Sequence, residues 1–240
     1  IACDLSDVAA IAGAFGGLGR IDVLVNNAGI IGPDRQSTLD MDFEGFAETL
    51  TINTLAPLAV AQAVLPALRA SGQGKIVTVS SQMAWMGYAK SDRIAYRASK
   101  AAVNKVMQGL ATDLAADRIP VALVDPGWVQ TDMGGPEADV TPDEVATGIL
   151  GLIERLSMAD TGKFFKFTGE VLGMVKENPR LVAPAAGNLL VATVVSLVLA
   201  IAYALVAEYR ALAFLVLAVG VTTLYFIDYF MNAMTVSLVH

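Results

Sequence analysis

The chain has 240 residues, of which 55% are hydrophobic and only 16% charged, with a formal net charge of −7. An acidic chain lacks the clustered Lys and Arg that nucleic-acid phosphates demand, so a nucleic-acid partner is excluded. A single cysteine, Cys3, excludes a disulfide scaffold and a Cys-based zinc site, and the single histidine, His240, ends the chain, so no metal site is expected.

The chain opens on Ile1 with no signal-peptide pattern and reads as a piece of something longer. A helix is expected from near Asp7, ended by the glycines between Gly13 and Gly19. Those glycines imitate a nucleotide-binding loop, but they precede a strand instead of following one and open no helix. Residues 23–25 (Val-Leu-Val) form the next strand and run into Asn26-Asn27-Ala28-Gly29. Residues 42–70 then carry apolar side chains at helical spacing, and 75–79 (Lys-Ile-Val-Thr-Val) is a strand closed by Ser80 and Ser81. A second long helix covers 94–117, and a strand over 120–124 leads into Asp125-Pro126-Gly127-Trp128-Val129-Gln130-Thr131. Thr141-Pro142 opens a third helix over 141–157, with threonine as the cap and proline at the first helical position. A final strand falls at 163–167. Strands separated by helices of this length make βαβ units, hence an α/β domain with a doubly wound parallel sheet.

Beyond residue 172 the character of the chain changes. Residues 173–187 read as a polar linker containing Lys176, Glu177, Pro179, Arg180, Pro184 and Gly187. Residues 188–240 are membrane-grade: after residue 180 the only charged side chains are Glu208, Arg210 and Asp228. The run 189–207 is 19 residues, or roughly 28 Å as a helix, close to the hydrocarbon thickness of a bilayer. Glu208-Tyr209-Arg210 separates it from a second apolar run at 211–227. The expectation is a hairpin of two transmembrane helices contacting the bilayer through 189–227. Lys176 and Arg180 before the first span place the α/β domain in the cytoplasm by the positive-inside rule.

The chemistry concentrates at strand ends. Tyr96 and Lys100 are four apart and share a helix face. A free phenol titrates near 10, and a cation about 4 Å away would lower that by about three pKa units at an effective dielectric of 20. Ser81 lies at the carboxyl end of a strand, where open α/β sheets bind ligands, as do Asn26–Gly29 and Pro126–Thr131. Three such ends together with the Tyr/Lys helix should converge on one crevice.

Asn26-Asn27-Ala28-Gly29, Ser81, Tyr96 with Lys100, and Pro126-Gly127 with Thr131 resemble the short-chain dehydrogenase/reductase family over residues 1–172. The segments at 96–104 and 126–133 further resemble its C-factor-like carbonyl reductase branch. The resemblance implies a Rossmann-like fold and an NAD(P)-dependent oxidoreductase acting on a small carbonyl or alcohol substrate, without deciding between NAD and NADP. It implies that Tyr96 is the acid/base, that Lys100 lowers its pKa and binds the nicotinamide ribose, and that Ser81 bonds the substrate oxygen. Asn53 would hold a water in the proton relay. Asn26, Ala28 and Gly29 would line the adenosine side, and Asp4 would contact adenine. Pro126, Gly127, Val129 and Thr131 would position the nicotinamide carboxamide. The family's assembly as a homodimer or homotetramer through the helices bearing Asn53 and Tyr96 is implied likewise for an intact parent.

Two departures bear on function. Ser81 and Tyr96 are 15 positions apart, so residues 82–93 form either a substrate-side flap or a surface excursion. The family's glycine-rich cofactor loop is absent, along with about two strand–helix units of about 30 residues each. The expectations are a sheet with an open apolar edge, weak cofactor binding and an inactive chain, next to a competent full-length parent. Two alternatives stay open: an inactive membrane-anchored remnant, and a fusion whose tail, starting near Met174, is an unrelated small membrane protein.

Overall fold

The computed structural model describes residues 1–173. A five-stranded sheet runs in the order β1 (Val23–Asn26), β4 (Lys75–Val79), β5 (Val121–Asp125), β6 (Phe164–Lys166) and β7 (Val171–Leu172). The first four strands are parallel, and β7 pairs antiparallel with β6. Successive side chains on a strand point to opposite faces, and both faces here are apolar. Ile76, Val121, Leu123 and Phe164 pack with Leu68, Val103 and Met107 on one side. Val77, Ala122, Val124 and Phe165 pack with Leu152 and Leu156 on the other. A sheet buried on both faces reads as continuous apolar runs, and all five residues of β5 are buried.

The helices follow local rules. In α1 (Val8–Phe15) the Asp7 carboxylate accepts from the Ala10 N–H, and Gly16 closes the helix, so the glycines up to Gly19 serve the turn before β1 as expected. Thr141 caps α5 (Pro142–Arg155) in a reciprocal box with Glu144, two otherwise orphaned N–H groups being satisfied at once. The α4 helix (Ile94–Asp113) ends four residues earlier than its periodicity suggested. The expected single helix at 42–70 is three pieces: α2 (Phe43–Leu50), a π-helical segment (Thr51–Leu55) and α3 (Ala56–Ser71). The stretch Phe43–Ser71 is the one helix among the described residues long and apolar enough to cross a membrane, yet Ala61, Val64 and Leu68 on it belong to the core.

Three features escaped the sequence reading: the hairpin β2 (Gln36–Ser37) with β3 (Asp40–Met41), the π segment, and β7. Residues 1–4 form no strand. The edge at β1 is open as expected, with Val23 and Val25 36% and 41% exposed. Apart from Gly173, the expected linker at 173–187 and the expected membrane hairpin within 188–240 lie outside the described residues.

Candidate active site

Tyr96 and Lys100 sit one turn apart on the first half of α4 and are both buried. The helix has no side-chain cap of its own. A residue far away in sequence supplies one: the Tyr96 N–H donates to Gln36 Oε1 at 3.2 Å. The Gln36 amide nitrogen donates in turn to the carbonyls of Ile31 and Pro33 at 3.1 and 2.7 Å. The start of the Tyr96 helix is thereby fixed to the loop that follows β1.

The Lys100 ammonium donates to the Val79 carbonyl at 2.9 Å, near the end of β4, and lies 5.7 Å from the Tyr96 ring centroid. The next residues along that strand also bond into the site. Ser80 Oγ donates to Asn104 Oδ1 on α4. Ser81 Oγ accepts from the Met83 N–H at 3.1 Å, and its hydroxyl acts on the Tyr96 phenol to lower the phenol's pKa. Ser81 therefore opens the short 3₁₀ turn Gln82–Ala84 while facing the phenol.

Asn53 sits in the π segment, a device that re-aims side chains inside a helix and recurs at functional sites. Its amide nitrogen donates to the Ile30 carbonyl at 2.8 Å and to Ser99 Oγ at 3.0 Å, while Oδ1 accepts from the Ile30 N–H at 2.8 Å. Ser99 Oγ in turn donates to the Tyr96 carbonyl at 2.8 Å. Both amide protons of Asn53 are thus committed to protein, and the second lone pair of Oδ1 remains open to a further donor.

Gly29 is where the β1 end meets this network. A Cβ there would stand 3.2 Å from Asn53 Oδ1 and 3.4 Å from Lys100 Nζ, so any side chain would crowd both groups. Asn26 is buried, its amide donating to Thr78 Oγ1 at 3.1 Å and to the Pro57 carbonyl at 3.4 Å. Its side chain ties β1 to β4 and α3, and the residue also lines a cavity at this strand end. A cavity of about 270 Å³ opens beside it, lined by Leu5, Leu24, Asn27, Ala28, Ile52 and Val60, among others. Asp4 does not line the cavity; its exposed carboxylate accepts from Ser6 N and Oγ at 2.9 and 2.8 Å, which holds its pKa below the usual range.

The β5 end turns at Pro126-Gly127, where Gly127 adopts φ +75°, a left-handed conformation that favours glycine. Val129 bridges to Val140, and Thr131 Oγ1 accepts from the Gly134 N–H at 3.2 Å. Pro126, Val129 and Thr131 make no hydrogen bond to Ser81, Tyr96, Lys100 or Asn53, so they are a separate wall of the site. What joins the walls is Asp125, whose Oδ1 accepts from Gln82 N at 2.9 Å and Gly127 N at 3.3 Å.

Burial acts on both titratable groups, and neighbouring charges act on the phenol. Burial pushes the Tyr96 phenol above its ordinary value; the Ser81 hydroxyl lowers it, the Asp125 charge raises it and the Arg93 charge lowers it. Lys100 makes no hydrogen bond to the phenol in this arrangement. Burial takes the Lys100 ammonium itself down to about 8, and it is drawn to the Val79 carbonyl instead of to the phenol oxygen. Helix spacing puts the two side chains on one face without deciding where the ammonium points.

Gln36 and Asp125 were not among the expected site residues. Gln36 stands in an irregular stretch after Gly32-Pro33, where no periodicity marks a polar residue as buried. Asp125 carried a weak signal, a carboxylate ending a fully apolar strand.

These features have counterparts in known proteins. The short chain dehydrogenase family profile matches residues 1–140. The chain belongs to that family. By that membership it is an oxidoreductase, and the family expected from its motifs holds. It is 40% identical to C-signal of Myxococcus xanthus over 153 residues, which are 63% of this chain and 91% of that protein. Among solved structures it is similar to the NADPH-bound carbonyl reductase from chicken fatty liver, at 30% identity and a TM-score of 0.65 over 71% of this chain and 75% of that one. It is also similar to the carbonyl reductase Sniffer of D. melanogaster, at 28% identity and a TM-score of 0.68 over 72% and 77% of the two chains.

Proposed function

We propose, against the expectation of weak cofactor binding and an inactive chain drawn from the missing glycine-rich loop, that the chain reduces a small carbonyl substrate to an alcohol with NADH or NADPH, Tyr96 being the proton donor. The observation that carries this reading is the gathering of Ser81, Tyr96, Lys100 and Asn53 at the carboxyl ends of β1 and β4, with Asn53 tied through Ser99 to the Tyr96 carbonyl and Lys100 to Val79, at the edge where open α/β sheets take ligands. Likeness to two carbonyl reductases points the same way.

The residues present fit a nicotinamide nucleotide. Gly29 leaves room against Asn53 and Lys100, the Lys100 ammonium can turn to ribose hydroxyls, and the cavity between Leu5 and Ala28 is shaped by apolar groups that suit a base. Asn26, Ala28 and Gly29 would line the adenosine side, and Asp4, next in sequence to the cavity-lining Leu5, would contact adenine. Pro126, Gly127, Val129 and Thr131 would hold the carboxamide. When bound, the reduced nicotinamide supplies the hydride to the carbonyl carbon.

The chain's own residues do the rest. Ser81 donates a hydrogen bond to the substrate oxygen, and Tyr96 gives that oxygen its proton as negative charge develops. A phenol above its ordinary pKa is protonated at neutral pH, the form that reduction needs. Lys100 supports the phenolate left behind, and the Asn53–Ser99–Tyr96 chain of bonds holds the helix in place.

Titrating the full chain with NADH and NADPH by nucleotide fluorescence, alongside a panel of ketones and aldehydes, tests this. Saturable binding with carbonyl-dependent oxidation of one nucleotide is expected. Binding of neither nucleotide would overturn the reading and favour a remnant that keeps these residues by descent.

A second part of the reading rests on sequence. The two apolar runs at 189–207 and 211–227 support anchoring at a bilayer with the α/β domain on the cytoplasmic side. Recovery of the full chain in the membrane pellet after alkaline washing is the expected result; release into the supernatant would contradict it.

A further inference from the structure

Asp125 is a buried charge that the roles above leave unused. It ends β5, is 5% exposed, and receives both of its backbone donors on one oxygen, Oδ1. One donor, Gln82 N, belongs to the residue after Ser81; the other, Gly127 N, belongs to the turn that leads to Val129 and Thr131. The ladder between β4 and β5 reaches Ser80 N bonded to the Val124 carbonyl at 2.7 Å, and Asp125 extends the tie by one residue past Val124 and two past Ser80.

Hydrogen bonding alone does not require an acid here. An asparagine would present the same Oδ1 to both N–H groups without the penalty that burial places on a carboxylate. What the acid adds is negative charge, and the charges around it give that a direction. Lys166, on the neighbouring β6, favours the Asp125 carboxylate. The carboxylate's negative charge opposes loss of the Tyr96 phenolic proton on α4. Arg93, just before α4, pulls the other way, and Lys100 is spent on the Val79 carbonyl.

We propose that Asp125 is a positioning residue that clamps the Ser81 strand end to the Gly127 turn and, through its charge, keeps the Tyr96 hydroxyl protonated for delivery to a carbonyl oxygen. The second half rests on the reading of Tyr96 as proton donor; the first does not. The residue thus favours reduction over alcohol oxidation, which would need the phenolate.

The test compares Asp125→Asn with Asp125→Ala in the full chain, using carbon-labelled tyrosine NMR to follow the Tyr96 phenol, assigned by its loss in Tyr96→Phe. In Asp125→Asn the clamp survives and the charge is gone. The Tyr96 midpoint should fall by on the order of one pH unit, with the Gln82 and Gly127 amides still protected from hydrogen exchange. In Asp125→Ala both amides should lose protection. In carbonyl reduction, the alkaline limb of the rate profile should move to lower pH in Asp125→Asn. An unchanged or raised Tyr96 midpoint in Asp125→Asn, or a protected Gln82 amide in Asp125→Ala, would overturn the proposal. The NMR readouts need no turnover, so if they come out as expected while no carbonyl is reduced, the clamp stands and the reductase reading falls.

Discussion

The two ends of the crevice are built differently. Around Tyr96, the side chains of Asn53, Ser80, Ser99, Lys100 and Asn104 are all buried and bonded to one another or to backbone. Around the β1 edge, Val23 and Val25 are half-exposed, Asn27, Ala28 and Asp4 are exposed, and the Asp4 carboxylate bonds only within its own turn. The contrast separates two kinds of constraint. A proton-transfer group must be held within fractions of an ångström before substrate arrives. A surface that receives one face of a nucleotide can be shaped largely by backbone and small side chains.

If that contrast is real, damage to the buried end should show first in stability. Asn53→Ala removes three hydrogen bonds and strands the Ile30 N–H and C=O, at a cost of roughly 3 kcal/mol read by chemical denaturation. A loss well under 1 kcal/mol would mean that the π segment holds its shape without the asparagine.

Lys100→Met sharpens the contrast by moving stability and function in opposite directions. Burial lowers the folded-state pKa of Lys100 from 10.5 to about 8. Between those values the unfolded chain binds more protons, so the wild type gains stability as pH rises through that window. Methionine removes the penalty on the charge and loses the bond to Val79. The variant should therefore be more stable than wild type at pH 7 by roughly 2 kcal/mol, and inactive. Its advantage should be full below pH 8 and shrink towards pH 10.5. Destabilisation at every pH would show that the ammonium is not penalised where it sits.

The smallest effect belongs to the open end. Asp4→Ala should leave the melting temperature unchanged and weaken nucleotide binding a few-fold. A marked drop in melting temperature would show that the Asp4 turn is structural, and the two ends would no longer differ in kind.

Much of this was legible in the sequence, and the rest was hidden for identifiable reasons. The strand Lys75–Val79 matches its expected bounds because β-branched residues are stopped on both sides, by Gly74 and by Ser80-Ser81. The α5 start was legible because Thr141, Pro142 and Glu144 all act within four residues. The π segment was not, since one extra residue in a turn barely disturbs apolar spacing across 42–70. The short β2, β3 and β7 strands fall below the length at which alternation can be recognised. In the site, motif residues announced Ser81, Tyr96 and Lys100, yet not their charge states. The burial of Tyr96, the turn of Lys100 towards Val79 and the approach of Asp125 all depend on which strand ends meet, a tertiary fact.

The central claim is that Tyr96 delivers the proton. The direct test is Tyr96→Phe, measured for nucleotide affinity and for the single-turnover rate of carbonyl reduction on the same preparation. The substitution removes one hydroxyl from a buried ring and leaves the Gln36, Ser99 and Asn53 bonds to backbone and side chain intact. The account predicts unchanged affinity and a reduction rate lower by about 10²–10⁴-fold. Reduction at more than a tenth of the wild-type rate would contradict it.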